Sequence, residues 1–284
     1  MIDSAFLLRL LQLCVTVMIL AIGMQSTVGD LTYLWRRPGL LFKSMLAMYV
    51  VVPLVAVGLA RLLPVPFDLK VAMIVVAISA GAPLVPRKLL PLSNDAYVFS
   101  LIATSSLLAI VTVPLWLVAL STLSGAAPQI APYDVARLLG KSFLLPLTVG
   151  LGIRMVAPGP SETLSDILLK VGGIVLTLGG LVLLVLGWPL LREAGGISLL
   201  VLGLLTALSL GIGHLMGGPD EENRTALAVS CATRHLGIAV LVAASVPGTR
   251  TAVLVMAYLV ASLVASIPYM RWRKNYHRAA ASEA

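Results

Sequence analysis

Residues 228–244 read AVSCATRHLGIAVLVAA. The stretch is apolar enough to cross a bilayer, yet Arg234 and His235 stand in its middle. A central arginine costs about 2.5–3.5 kcal/mol on membrane-insertion scales, so a chain that keeps one has a use for it. Snorkelling does not explain it. Arg234 lies ten residues after Arg224 and sixteen before Arg250, too deep for its stem to reach water easily.

The surrounding composition shows that this is a membrane setting. The 284 residues are 59% hydrophobic and 11% charged, whereas soluble domains are normally about one quarter charged. Mean hydropathy is +1.03. Apolar runs of roughly 20 residues recur along the chain, the length a helix needs to cross ~30 Å of hydrocarbon. The short alternating segments of a transmembrane barrel are not seen, so the fold expected is an all-α integral membrane protein.

Nine spans are expected, at about 5–25, 40–60, 70–90, 96–120, 136–157, 167–187, 197–216, 224–246 and 250–270. The first has no basic start or small-residue cleavage site, and reads as a retained helix rather than a signal peptide. The connections, such as LLPVPFD, SGAAPQIAPYD and MGGPDEEN, are short and rich in Pro, Gly and Asp. The whole of 1–284 therefore reads as one transmembrane domain with a basic tail, 271–284, on the cytoplasmic side. Both cysteines, Cys14 and Cys231, fall inside spans, without disulfide or metal-type spacing.

The net charge of +8 is spread over successive loops, and its densest group, RWRKNYHR at 271–278, directly follows a span. That is a topology signal and not a nucleic-acid surface. With the amino terminus outside, twelve Lys and Arg fall on the inner side and seven on the outer. The orientation expected in a cell (inner) membrane is thus amino terminus out and carboxyl terminus in. Every Asp and Glu reads as lying in or beside a loop, so Arg234 is the one charge near mid-span.

A second span is also broken. AISAGAPLVPRKLLPL, at 77–92, carries Pro83, Pro86 and Pro91 with Gly81 beside them. Each proline removes a backbone donor, and the freed carbonyls need partners in protein or a wet cavity. One broken helix in each half of the chain points to a carrier whose binding site lies where the two cross. The candidate site residues are Ser79, Gly81 and Pro83 on the first break and Ser230, Thr233, Arg234 and His235 on the second. Half-helix amino termini at the crossing would add positive potential there. Arg87 and Lys88, near the inner end of the first break, are topology residues or guides for an anion at the inner mouth. His235 is either a satisfied interior histidine or, by its ordinary pKa, a proton-coupling group. Ser100, Thr104, Ser105 and Ser106 place hydroxyls near the crossing and are expected to bond to backbone.

Several stretches together resemble the bile acid:sodium symporter family. They are MILAIGMQSTVGDLTYLWRRPGLLFKSMLAMYVVVPLVAVGLARLL, SAGAPLVPRKLL, SSLLAIVTVPL and RTALAVSCATRHLGIAVLVAA with its Gly237-Ile238-Ala239 ending. The resemblance implies inverted five-helix repeats divided into core and panel domains. Here the first helix would be absent, leaving about 5–121 as the first repeat and 136–270 as the second. It also implies an organic anion as substrate. The sequence has no His/Glu/Asp metal cluster, no mid-span aspartate pair and no Ser–His arrangement that spacing supports, so no enzyme activity and no catalytic residues are expected.

The resemblance fails at the sodium positions. The family's stretch of oxygen-bearing residues on the first break is replaced by Gly81, Ala82, Pro83, Leu84 and Val85. Its glutamate and glutamine on the second are replaced by Ser230 and Arg234, and a glutamine in an earlier span by Met48. Sodium wants several oxygens and usually a carboxylate. The expectation is therefore an organic-anion carrier without the usual sodium sites and with no other cofactor or metal. In it Arg234 stands in for the cation, either pinning the second break to carbonyls of the first or gripping the anion in a planar two-point clamp. A conventional sodium symporter, and a non-transporting receptor or assembly subunit on the same fold, are the other readings. Oligomeric state is not legible.

Overall fold

The computed structural model describes residues 4–79, 95–124, 133, 136–137, 140–186, 188–189, 192, 195–234, 239, 243 and 250–283. Helix α1 spans Ser4–Gln25, and a single-turn helix α2 spans Val28–Thr32. Next come α3 (Pro38–Leu46), a π-helical turn (Ala47–Val51) and α4 (Val52–Leu62) in one continuous run. Helix α5 (Phe67–Ile78) precedes the long α6 (Asp95–Ser124). A second π turn (Gly140–Leu144) leads into α7 (Leu145–Val156), followed by α8 (Pro158–Leu186) and α9 (Gly196–Met216). The chain closes with α10 (Glu221–Ala232) and α11 (Arg250–Glu283).

Among the described residues, four segments are long and apolar enough to cross a membrane: Pro38–Leu62, Ala96–Ala119, Gly196–Met216 and Val253–Tyr276. Leu13–Gln25 is a shorter apolar helix. The protein is an all-α integral membrane protein.

Local chemistry sets the helix starts. Proline stands at the first position of α3 and α8, where its missing N–H costs nothing. Thr27 and Asp30 form a reciprocal cap on α2: the Thr27 hydroxyl accepts from the Asp30 N–H at 3.1 Å, and the Asp30 carboxylate takes the Thr27 N–H at 2.9 Å. Two expected boundaries need correction. Helix α8 begins at Pro158 and not near 167, because PGPSE makes a proline-started first turn rather than a loop. Glu162, Asp166 and Lys170 therefore lie on a helix. The basic tail is likewise helical to Glu283, as its alanines favour.

Helix α1 packs chiefly on α7 and α8, while α9 packs on α10 and α11, and α5 on α4 and α11. Glycine allows the closest crossings. A Cβ on Gly23 would fall 2.3 Å from the Leu147 carbonyl oxygen, and one on Gly150 would fall 2.1 Å from that of Leu20, so α1 and α7 meet backbone to backbone. Gly213 does the same for α9 and α10, where a Cβ would lie 2.5 Å from the Ala228 Cα.

Element bounds recur at one shift. Leu62 and Met216 end α4 and α9, and Phe67–Ile78 and Glu221–Ala232 bound α5 and α10. Pro114 and Pro268 interrupt α6 and α11. Each pair stands 154 residues apart.

Candidate functional site

Helices α5 and α10 are the two elements whose carboxyl ends unwind at matching positions. Ser79 follows α5 in extended backbone (φ −65°, ψ 147°), and Thr233 follows α10 likewise (φ −91°, ψ 113°). The next residue, Arg234, is 5% exposed. Its Nη1 donates to the Ser79 carbonyl at 3.0 Å and to the Met48 carbonyl at 3.3 Å. One nitrogen thus joins the carboxyl ends of α5 and α10 and the run α3–α4.

The Met48 carbonyl is open for a local reason. In a regular helix it would accept from Val52, but the π turn sends the Val52 N–H to the Ala47 carbonyl. The next donor along would be residue 53, which is proline. Pro53 also withholds the ordinary partner of the Tyr49 carbonyl, which instead accepts from Trp116 Nε1 at 2.9 Å. Thus the bulge and the proline turn two backbone oxygens outward, and a side chain from elsewhere takes each.

The helix ends beside Arg234 are carboxyl ends, which carry partial negative charge. The positive amino ends expected at the crossing fall outside the described residues. Carboxyl ends suit a cation, and here a guanidinium takes that place. The Tyr258 hydroxyl on α11 satisfies the Ala232 carbonyl, the last of α10.

Arg234 is only half used. Its Nε and Nη2 are buried with no hydrogen-bond partner among the described residues, and so is the Ser230 hydroxyl. The other candidates contribute differently from their side-chain chemistry. The Ser79 hydroxyl turns back to Val75 O at 2.8 Å, so Ser79 acts through its carbonyl. The Thr233 hydroxyl turns back to Val229 O at 2.7 Å. His235, Gly81, Pro83, Arg87 and Lys88 lie outside the described residues.

No carboxylate approaches from the described parts of these helices. Asp68 on α5 and Glu222 on α10 each lie eleven residues before the break, about 16 Å along a helix axis. Among the described residues no group of three or more His, Cys, Asp or Glu is placed to hold a metal ion.

The hydroxyls of α6 do more than bond to their own helix. Ser100 Oγ accepts from the Leu34 N–H and donates to the Leu31 carbonyl, both at 2.9 Å, tying α6 to the α2 segment. Thr104 accepts from Trp35 Nε1 at 3.2 Å, while Ser105 turns back to Ile102.

A second buried charge escaped the sequence reading. Arg273, expected to be a solvated anchor, is 1% exposed. It bonds Glu221 Oε2 at 2.6 Å, Thr225 Oγ1 at 2.8 Å and the Glu221 carbonyl at 3.0 Å. Its guanidinium also lies 5.4 Å from the Trp272 ring and 5.1 Å from that of Tyr276. The long α11 therefore grips the start of α10, the end opposite Arg234. Only the extension of α11 past the expected span end brings Arg273 there, and nothing in RWRKNYHR distinguishes it from its neighbours.

No curated protein matches this chain. The family model described as Sodium Bile acid symporter family matches residues 12–188, from within α1 to just past α8, and stops short of α10 and Arg234. With well over half of its length matched, the chain belongs to the Sodium Bile acid symporter family, whose members are transporters of the bile-acid and organic-anion type and not enzymes.

Proposed function

We propose that the protein is a secondary carrier for an organic anion that works by alternating access without the usual sodium sites, Arg234 supplying a permanent cation in their place. The observation that carries this reading is the state of the Arg234 guanidinium. One nitrogen holds the carbonyls of Ser79 and Met48, and the other two are buried and have no partner among the described residues. The Ser79 carbonyl at the end of α5 and the Met48 carbonyl of the α3–α4 run are thus taken by a cation that cannot leave. A sodium ion placed within about 4 Å of it would be repelled by about 1 kcal/mol at the dielectric of water and by several times more in the interior.

The rest of the family architecture is proposed on the same footing. The 154-residue register pairs α4 with α9, α5 with α10 and α6 with α11. If each described run crosses the membrane once, α9 follows α4 by five crossings, and the paired halves run in opposite directions. That supports nine spans in inverted repeats, with α5 and α10 as the crossing pair. The helix Gly140–Val156 stands outside the register. The packing of α1 with α7 and α8, apart from the α9–α11 group, supports a panel beside a core. An amino terminus outside the cell membrane follows from the charge count, and puts the Arg273–Glu221 contact on the cytoplasmic side.

One observation favours a second reading: the Nη1 bonds alone would make Arg234 a structural pin. Thermal unfolding of the purified protein in detergent separates the two. A panel of organic anions would be tested in sodium chloride and in choline chloride, with native protein and Arg234→Gln. The carrier reading expects stabilisation by an anion in both salts that the variant loses. Anion stabilisation that survives in the variant would leave Arg234 as a pin, and stabilisation by sodium itself would restore the conventional symporter.

A further inference from the structure

We infer that the carrier is an obligatory exchanger: one carboxylate enters for each carboxylate that leaves, each in turn seated on the free edge of Arg234. The inference rests on the organic-anion reading above and adds its coupling mode.

A guanidinium presents two edges beside its stem. Nη1 lies on the side of the stem. Nε and Nη2 share the other edge, where two parallel N–H bonds match the two oxygens of one carboxylate. In Arg234 the protein uses the first edge and leaves the second. Nη1 holds Ser79 O at 3.0 Å and Met48 O at 3.3 Å, while Nε and Nη2 are buried without a partner among the described residues. The carbonyl ends of α5 and α10 make the charge tolerable from the Nη1 side. They do nothing for the two charged donors on the other edge.

Alternating access requires a moment when the site is closed to water on both sides. With a carboxylate in place, both free donors are satisfied and the charge is paired. Without one, two charged N–H groups must pass through that moment with neither water nor acceptor, and an unmet hydrogen bond to a charged group is among the costlier losses in a buried site. Arg234 cannot avoid this by leaving, because it is covalently part of the chain, nor by losing its proton. The loaded carrier therefore reorients far faster than the empty one, which makes net uptake slow and exchange fast. The Ser230 hydroxyl, on the last turn of α10, is likewise buried without a partner among the described residues.

The test uses native protein in sodium-free liposomes, with potassium and valinomycin on both sides to hold the membrane potential at zero. Uptake of labelled glycocholate, taurocholate and pyruvate is followed into vesicles that are empty or preloaded with the same unlabelled anion. Glycocholate and pyruvate carry carboxylates; taurocholate ends in a sulfonate. The expected result is uptake of a carboxylate at least about tenfold faster into preloaded vesicles, since a tenfold rate ratio needs only one such lost interaction. Equal rates into empty and preloaded vesicles would overturn exchange while leaving the carrier reading intact. Exchange of taurocholate alone would overturn the carboxylate seat. Failure of all three anions to enter under either condition would overturn the carrier reading and this inference with it.

Discussion

Arg234 and Ser79, 155 residues apart in the chain, are joined by a 3.0 Å hydrogen bond from the Arg234 guanidinium to the Ser79 backbone carbonyl. The bond ties the unwound end of α10 to the unwound end of α5. Replacing Arg234 tests both its halves. Arg234→Gln leaves the Ser79 and Met48 carbonyls without their donor and is expected to cost about 1–3 kcal/mol. Arg234→Lys keeps the charge but not the planar edge. It should retain most of the stability, seen as a Tm near that of the native protein, and lose anion stabilisation. A lysine variant that binds anions as well as native protein would dissociate the guanidinium edge from the site.

Pro53 provides a test that touches neither ligand nor charge. A proline inside a helix normally weakens it, so Pro53→Ala would ordinarily raise Tm. Here alanine restores an N–H that competes for the Met48 and Tyr49 carbonyls, now held by Arg234 and Trp116. The expected outcome is no gain in Tm and weaker anion stabilisation in the same thermal assay. A higher Tm with unchanged anion response would show that the open carbonyls are incidental.

At the other end of α10, Arg273 and Glu221 form an ion pair whose arginine is 1% exposed and whose carboxylate is 35% exposed. Removing one partner of a fully buried pair costs about 3–5 kcal/mol, and the exposure of Glu221 reduces that to about 2 kcal/mol. Arg273→Met is therefore expected to lower stability by that order. A double-mutant cycle with Glu221→Gln should return a coupling energy near 1 kcal/mol. A cycle that returns zero would show that Arg273 is held by Thr225 and the aromatic rings instead.

The glycines divide into two groups that one substitution separates. Gly23, Gly150 and Gly213 have backbone atoms within 2.6 Å of where a Cβ would stand, whereas Gly203 and Gly211 have nothing within 4 Å. Alanine at the first three should lower Tm and expression, because the helices must move apart. Alanine at Gly203 or Gly211 should be neutral or stabilising by up to about 1 kcal/mol. Equal effects at the two groups would contradict the close crossings of α1 with α7 and α9 with α10.

Much of this was legible in the chain because lipid leaves few choices. Apolar runs announced helices, and Arg234 stood out because nothing else near mid-span was charged. What stayed hidden was backbone chemistry. Met48 read as a lost polar side chain, yet its carbonyl reaches Arg234, and only the π turn before Pro53 reveals why. Ser79 likewise serves through its carbonyl while its hydroxyl turns back to its own helix. Arg273 was indistinct among its basic neighbours because its burial depends on α11 continuing through the tail. The start of α8 was missed because PGPSE carries turn residues that equally begin a helix. The 154-residue register passed unseen since it lives in helix ends and proline positions more than in residue identity.

The most direct measurement of the central claim is anion uptake by the native protein in liposomes preloaded with the same anion. It compares an inward sodium gradient with the same gradient of N-methylglucamine. With Arg234 as the permanent cation, uptake should be the same in both. Uptake that requires sodium would contradict the claim, and would mean that an ion binds beside a guanidinium already holding the Ser79 and Met48 carbonyls.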